Sequence, residues 1–208
     1  MSGRYFIARH GETVFNAVGR IQGDVEHTPL TRAGFAQADA MGAALRERLG
    51  PKPPLILWAS PTGRALQTLA VIAEHLELDW HSARRDERLR EIGMGDWTGR
   101  LYRDVVAETG PLFDPDTLIF TRCAPNGEWY DAIAVRLRAW LGDLEGDEDR
   151  LIVMHGMSAR VLRGLLTGGE EQPGCGAPVA PNLPQGSLVA IEDGVERVLH
   201  LGQGGGTA

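Results

Sequence analysis

Three short polar clusters each follow a run of apolar residues. Arg9-His10-Gly11-Glu12-Thr13 follows Tyr5–Ala8, Ser60-Pro61-Thr62-Gly63-Arg64 follows Leu55–Ala59, and His155-Gly156 follows Leu151–Met154. Apolar runs this short, without polar alternation, read as strands buried on both faces. In an open parallel sheet, ligands bind beyond the carboxyl ends of the strands. Two histidines and two arginines would therefore meet at one sheet edge. Guanidinium forks match phosphate oxygens bidentately, so the group is suited to an anion. A histidine among them adds a ring nitrogen that can attack an electrophile or carry a proton.

The elements that must position these clusters follow from periodicity. Leu188–Ile191 is a fourth buried run. Helical spacing marks Ala38, Met41, Leu45 and Leu49, then Leu66, Leu69, Ala73 and Leu76, then Ile133, Leu137, Trp140 and Leu144, and finally Val161, Leu162 and Leu165. Ser60-Pro61 reads as an N-cap with proline at the first helical position. Strands alternating with helices predict an α/β fold, a three-layer α/β/α sandwich with a mostly parallel central sheet. Asp193-Gly194 separates Ser187–Glu192 from Val195–Leu201 as a hairpin turn, which predicts one antiparallel strand near the C-terminus. Residues 1–201 read as a single domain and residues 202–208 as a disordered tail.

Composition narrows the function classes. The chain has 208 residues and a formal net charge of −7, which argues against nucleic acid and anionic membrane surfaces as partners. Cys123 and Cys175 are too few for a disulfide scaffold or a zinc ribbon and have no motif around them. No signal-like stretch opens the chain, and no apolar run approaches the roughly 18 residues of a membrane span, so a cytoplasmic location is expected.

Arg9-His10-Gly11-Glu12-Thr13 resembles the signature of the histidine phosphatase superfamily, also called the phosphoglycerate-mutase-like family. Asn16, Arg20-Ile21-Gln22-Gly23 and Pro29-Leu30-Thr31 are similar to the segments that follow it in that family. Ser60-Pro61-x-x-Arg64-Ala65-x-Gln67-Thr68 resembles its second block, Leu89-x-Glu91-x-x-Met94-Gly95-x-Trp97-x-Gly99 its acid-bearing block, and His155-Gly156-x-x-x-Arg160 its last. The resemblance implies a phosphomonoesterase that acts on a small phosphate ester through a phosphohistidine and releases inorganic phosphate. His10 would be the nucleophile. Arg9, Arg64 and His155 would hold the phosphoryl oxygens, and Glu91 would be the general acid and base. Asn16, Gln22, Gly23 and Gly156 would line the phosphate or substrate side. It implies no metal and no other cofactor.

Other readings stand beside this one. Two histidines and Glu91 could ligate zinc, although no H-E-x-x-H spacing is present and the arginines would repel a cation. A cofactor-dependent phosphoglycerate mutase is similar in pattern. However, it carries a longer insertion and an Arg-Arg pair that the segment from Gly99 to Asn126 lacks. A non-catalytic phosphate-ester binding or scaffold protein is a third reading, at odds with the full set of five catalytic residues. Thr98 stands where Glu is common among the phosphatases, and Trp129 follows Gly127-Glu128 where serine is usual. The segment Thr98–Trp129, without clear periodicity, is expected to be the substrate-facing lid. His27 is expected in a loop, His75 in a helix, His81 at a strand start and His200 in the last strand, all without chemistry. Trp97 and Trp129 are expected in the core or the pocket wall.

Overall fold

The computed structural model describes residues 3–203. Six strands form one sheet in the order β3-β2-β4-β1-β5-β6, with β1 Tyr5–Arg9, β2 Leu55–Ala59, β3 Arg84–Arg85, β4 Asp149–Met154, β5 Leu188–Glu192 and β6 Val195–His200. β1 pairs in parallel with β4, and β2 in parallel with both β4 and β3. β5 runs antiparallel to β1 and to β6, so it alone opposes the other strands. Asp193 and Gly194 have φ of 49° and 75°, the two left-handed residues of a type I′ hairpin.

The pleat of β1 sorts its residues into two layers. Tyr5 and Ile7 face a core shared with α5 (Tyr130–Gly142) and α6 (Gly156–Leu166), while Phe6 and Ala8 face a core shared with α2 (Arg32–Leu49) and α3 (Gly63–Leu76). In α2, Ala38, Met41 and Leu45 are fully buried at the spacing read from the sequence. Each buried large apolar side chain contributes about 1.5–3 kcal/mol. That outweighs the roughly 1 kcal/mol cost of each of Gly34 and Gly42 inside the helix. Gly42 is there because the His75 ring of α3 occupies the space of its Cβ, 2.5 Å from the ring Cδ2.

Several expectations are corrected. The cap of α3 is Thr62, not Ser60, and the helix starts at Gly63 without proline; Ser60 turns inward instead. His81 lies in a 3-10 turn, Trp80–Ser82, not in a strand. Leu144 falls beyond the end of α5. The segment Thr98–Trp129 contains a helix, α4 (Tyr102–Thr109), whose single buried apolar side chain, Val105, leaves too little periodicity to see. The expected tail does not begin at Gly202: that residue is buried, and its N–H donates to Ser187 Oγ at 2.9 Å. The rest of that expectation, residues 204–208, lies outside the described residues. No helix among the described residues is long and apolar enough to cross a membrane.

Two glycines fix the signature loop against α2. A Cβ on Gly11 would stand 2.2 Å from the Gly34 carbonyl oxygen, and one on Gly34 would stand 2.1 Å from the Glu12 carbonyl oxygen. Thr31 caps α2 with its hydroxyl on the Gly34 N–H, and its own N–H reaches Glu12 O at 2.9 Å. Because the clash is with backbone, no rotamer relieves it. Gly34→Ala is expected to cost about 1–3 kcal/mol, as overpacking does, and to lower the melting temperature and the activity together. Thermal unfolding followed by circular dichroism checks the first effect and an ester hydrolysis assay the second.

Candidate active site

His10 follows β1 and is almost fully buried. Its backbone N–H donates to Met154 O at the end of β4, which ties the two strand ends together. Its Nδ1 lies 2.7 Å from the Gly11 carbonyl, so Nδ1 carries the proton and Nε2 keeps a lone pair. Burial first, and then the charge of Arg64, hold the ring well below the ordinary histidine range, and Arg9 adds to this. The bond to Gly11 works in the opposite direction and loses. A neutral ring with a free Nε2 is the state in which histidine is a nucleophile.

His155 is the N-cap of α6 and has no exposed surface. Its ring stands 5.2 Å from that of His10, edge to face. Arg64 Nε donates to its Nδ1 at 3.2 Å, which leaves the ring proton on Nε2, facing Ser60 Oγ at 2.7 Å. Burial, then Arg64, holds this ring low as well. Arg64 is itself completely buried. Its Nη1 donates to Val25 O at 2.5 Å and Thr28 Oγ1 at 3.1 Å, and Nη2 to Gly23 O at 2.7 Å. Burial lowers its pKa to about 10, with Glu91 and Asp24 holding it up. Arg9 Nη1 reaches Leu183 O at 3.1 Å. The structure therefore brings Arg9, His10, Arg64 and His155 together at the carboxyl ends of β1, β2 and β4.

Glu91 comes from the loop after a short 3-10 turn, Glu87–Leu89, and is buried against the start of α6. Its Oε1 accepts from the N–H groups of Ile92, Met157 and Ser158 at 3.0, 3.1 and 2.9 Å. Its Oε2 shares only the Met157 N–H, at 3.1 Å. The helix N-terminus thus orients the carboxylate and leaves Oε2 as the oxygen with room for a proton. Its charge acts on Arg9, Arg64 and the Tyr102 phenol.

Asn16 and Gln22 present amide groups whose oxygens are already engaged. Asn16 Oδ1 accepts from Thr13 N–H at 3.1 Å and from Gln185 Nε2 at 2.8 Å, and Gln22 Oε1 accepts from Thr13 Oγ1 at 2.6 Å. Gly23, at φ 52°, has its carbonyl on Arg64, and a Cβ there would sit 2.9 Å from Met94 Cγ. Gly156 opens α6. His27 is an exposed loop residue, whereas His75 and His200 lie in α3 and β6 as expected. Trp97 is in the core, and Trp129 is half-buried with its indole N–H on Gly174 O at 2.9 Å.

Three participants escaped the reading of the sequence. Ser60 was read as a cap. Gln185, in a loop rich in glycine and proline, is fully buried, and its Nε2 donates to Gly11 O at 3.2 Å, the carbonyl that orients His10. Tyr102, at the start of α4, has a buried hydroxyl with no partner among the described residues. Burial, then the charge of Glu91, raises its pKa, so it remains a neutral donor. Nothing local in the sequence separates these three from ordinary loop residues.

The description of the histidine phosphatase superfamily (branch 1) matches residues 5–193. The chain is 31% identical over 187 residues to the 6-phosphofructo-2-kinase/fructose-2,6-bisphosphatase of Caenorhabditis elegans, covering 89% of this chain but only 38% of that protein. It is 30% identical over 169 residues to the adenosylcobalamin/alpha-ribazole phosphatase of Salmonella typhimurium, covering 79% and 80%. Among solved structures, mycobacterial glucosyl-3-phosphoglycerate phosphatase complexed with VO3 is similar at TM-score 0.72 and 26% identity, over 95% of this chain and 97% of that one.

The two depressed histidines make stability depend on pH. In the folded state both resist protonation, whereas in the unfolded chain they take protons near pH 6.5. The unfolded state therefore binds more protons as pH falls below about 6.5, and folding loses about 1.4 kcal/mol per pH unit for each site until its folded pKa is reached. The urea midpoint is expected to fall from pH 7 to pH 5. His155→Asn should flatten that dependence, as denaturation curves at the two pH values would show.

Proposed function

The chain belongs to the histidine phosphatase superfamily, and we propose that it is a phosphomonoesterase that passes the phosphoryl group of a small ester to His10 and then to water, without a metal ion. One observation carries this reading: the buried, neutral His10 ring spends Nδ1 on Gly11 O at 2.7 Å and keeps the Nε2 lone pair free beside Arg64 and Arg9. Relatives that bear the names of phosphatases for alpha-ribazole and glucosyl-3-phosphoglycerate support ester hydrolysis as the reaction class.

In the first step, the Nε2 lone pair forms a bond to phosphorus while the bond to the ester oxygen breaks. Glu91 Oε2 gives its proton to the departing oxygen. In the second step, a water molecule gives a proton back to Glu91 and its oxygen attacks phosphorus. The P–N bond then breaks, and inorganic phosphate leaves. Charge accumulates on the phosphoryl oxygens in both steps, and cations fixed in a low-dielectric site stabilise it most. Arg9 and Arg64 take the place that a divalent ion holds in other phosphoryl-transfer sites. Arg64 Nη2 has a second N–H beyond its bond to Gly23, available to phosphoryl oxygens, whereas the Nε2 proton of His155 must leave Ser60 Oγ to reach them. Asn16 and Gln22, with their oxygens engaged, turn amide donors to the same ligand, and Gly23 and Gly156 let backbone come close. The segment Thr98–Trp129, including the Tyr102 hydroxyl, faces the alcohol part of the ester and selects it.

Two outcomes test this reading. In EDTA-containing buffer, the wild-type protein should hydrolyse p-nitrophenyl phosphate and acquire an acid-labile phosphoryl label, and His10→Ala should lose both. Retained labelling in that variant would move the nucleophile, with His155 the next candidate. Glu91→Gln should lose about 10²–10⁴-fold in kcat on an alkyl phosphate, the usual worth of general acid–base catalysis. It should lose far less on p-nitrophenyl phosphate, whose leaving group needs little protonation. Equal losses on the two esters would mean that Glu91 positions substrate or water.

A further inference from the structure

The loop that carries Glu91 is anchored by Leu89, Ile92 and Met94 in the core, and its carboxylate meets two N–H groups of the α6 N-terminus and that of Ile92. Arg88 and Arg90 tie it to Asp143 and Asp24, but a third ion pair grips the backbone at Glu91 itself. Arg136 of α5 and Glu128, just before α5, form a two-pronged pair, Nε to Oε1 at 2.8 Å and Nη2 to Oε2 at 3.0 Å. Both partners are mostly buried, with side-chain exposures of 18% and 22%. Each also grips the backbone on either side of Glu91. Arg136 Nη1 donates to Arg88 O and Nη2 to Glu91 O at 3.3 Å. Glu128 donates its N–H to Gly93 O at 2.7 Å and accepts the Gly93 N–H at 3.3 Å. Beyond it, the two segments touch backbone to backbone: a Cβ on Gly95 would stand 2.1 Å from Pro125 O, and one on Gly127 2.8 Å from Gly93 O.

We propose that Arg136 and Glu128 are positioning residues for Glu91: the bidentate pair fixes the backbone at residues 88, 91 and 93, and so sets where Glu91 Oε2 stands relative to the leaving oxygen. The inference rests on the proton-transfer role of Glu91 given above. It explains why a charge pair is placed at the turn that carries Glu91. It also explains why the fork of an arginine is used there: a lysine ammonium cannot bond to Glu128 twice and still reach two carbonyls. Through Glu128, at the end of the segment Thr98–Trp129, that segment is hydrogen-bonded to the loop that carries the acid.

The test compares Arg136→Lys, Glu128→Gln and Glu91→Gln on an alkyl phosphate and on p-nitrophenyl phosphate. Misplacement of a catalytic group by about 1 Å can cost about 10²-fold, so Arg136→Lys is expected to lose between 10- and 100-fold in kcat on the alkyl ester and far less on the aryl ester. KM should change little on either, and Glu128→Gln should follow the same pattern more weakly. A variant that only loosened the fold would lose both activities alike and additively with Glu91→Gln; that result would overturn the proposal. A double-mutant cycle separates it from the Glu91 reading itself. Arg136→Lys placed on Glu91→Gln should cost nothing further, whatever Glu91 does. Additive losses would show that Arg136 acts by another route, even if Glu91→Gln alone is leaving-group dependent. Conversely, a non-additive pair with equal losses on both esters would keep the positioning role and remove the proton-transfer role.

Discussion

A guanidinium sealed from water holds the site in shape. Arg64, on the first turn of α3, donates to Gly23 O, Val25 O and Thr28 of the loop after the signature, and to Nδ1 of His155 at the head of α6. Burying a charge this deeply is costly unless its donors are used. Here, one side chain joins the loop 23–28, two of whose carbonyls it satisfies, to the head of α6. The same bonds decide the chemistry nearby. The bond to His155 sets its tautomer, and the charge adds to the burial that holds both His10 and His155 neutral. Fold and reactivity depend on one contact set, so a lysine at position 64 would keep a charge and lose the geometry.

Much of this frame could be read in the residues. Ala38, Met41 and Leu45, and likewise Leu69, Ala73 and Leu76, show their helices because one face is buried and the other is wet. β1, β2 and β4 stand out as short apolar runs because helices cover the sheet. The arrival of His10, Arg64 and His155 at one edge follows from parallel strands alone. Where a side chain finds its partner across a long loop, the residues carry no such trace. Gln185 reaches Gly11 O from a stretch of glycine and proline, and Ser60 bonds to a histidine 95 positions away. α4 was missed for another reason: it buries a single apolar side chain, Val105, so its period is too faint to detect.

The segment between Gly99 and α5 is attached to the rest of the domain at a few points. Phe113 and Phe120 pack at 4.4 Å and Tyr102 lies 5.8 Å from Phe113, forming a small aromatic brace. Arg160 of α6 donates to Thr117 O and Leu118 O, both at 2.8 Å, and pins the tip of the segment to the helix whose first turn holds Glu91. These anchors tie the segment to the same helix that orients the Glu91 carboxylate.

The crowding of cations around neutral histidines has one more consequence. Arg9 and Arg64 are kept in a poorly solvating environment, and burial lowers the pKa of both. An arriving phosphate ester relieves that burden, and so does the free phosphate left behind after turnover. A pocket built in this way cannot distinguish the phosphoryl dianion of its substrate from that of its product by charge alone. If the site turns over esters as proposed, discrimination rests on the alcohol portion, and free phosphate competes with the ester for the same cations.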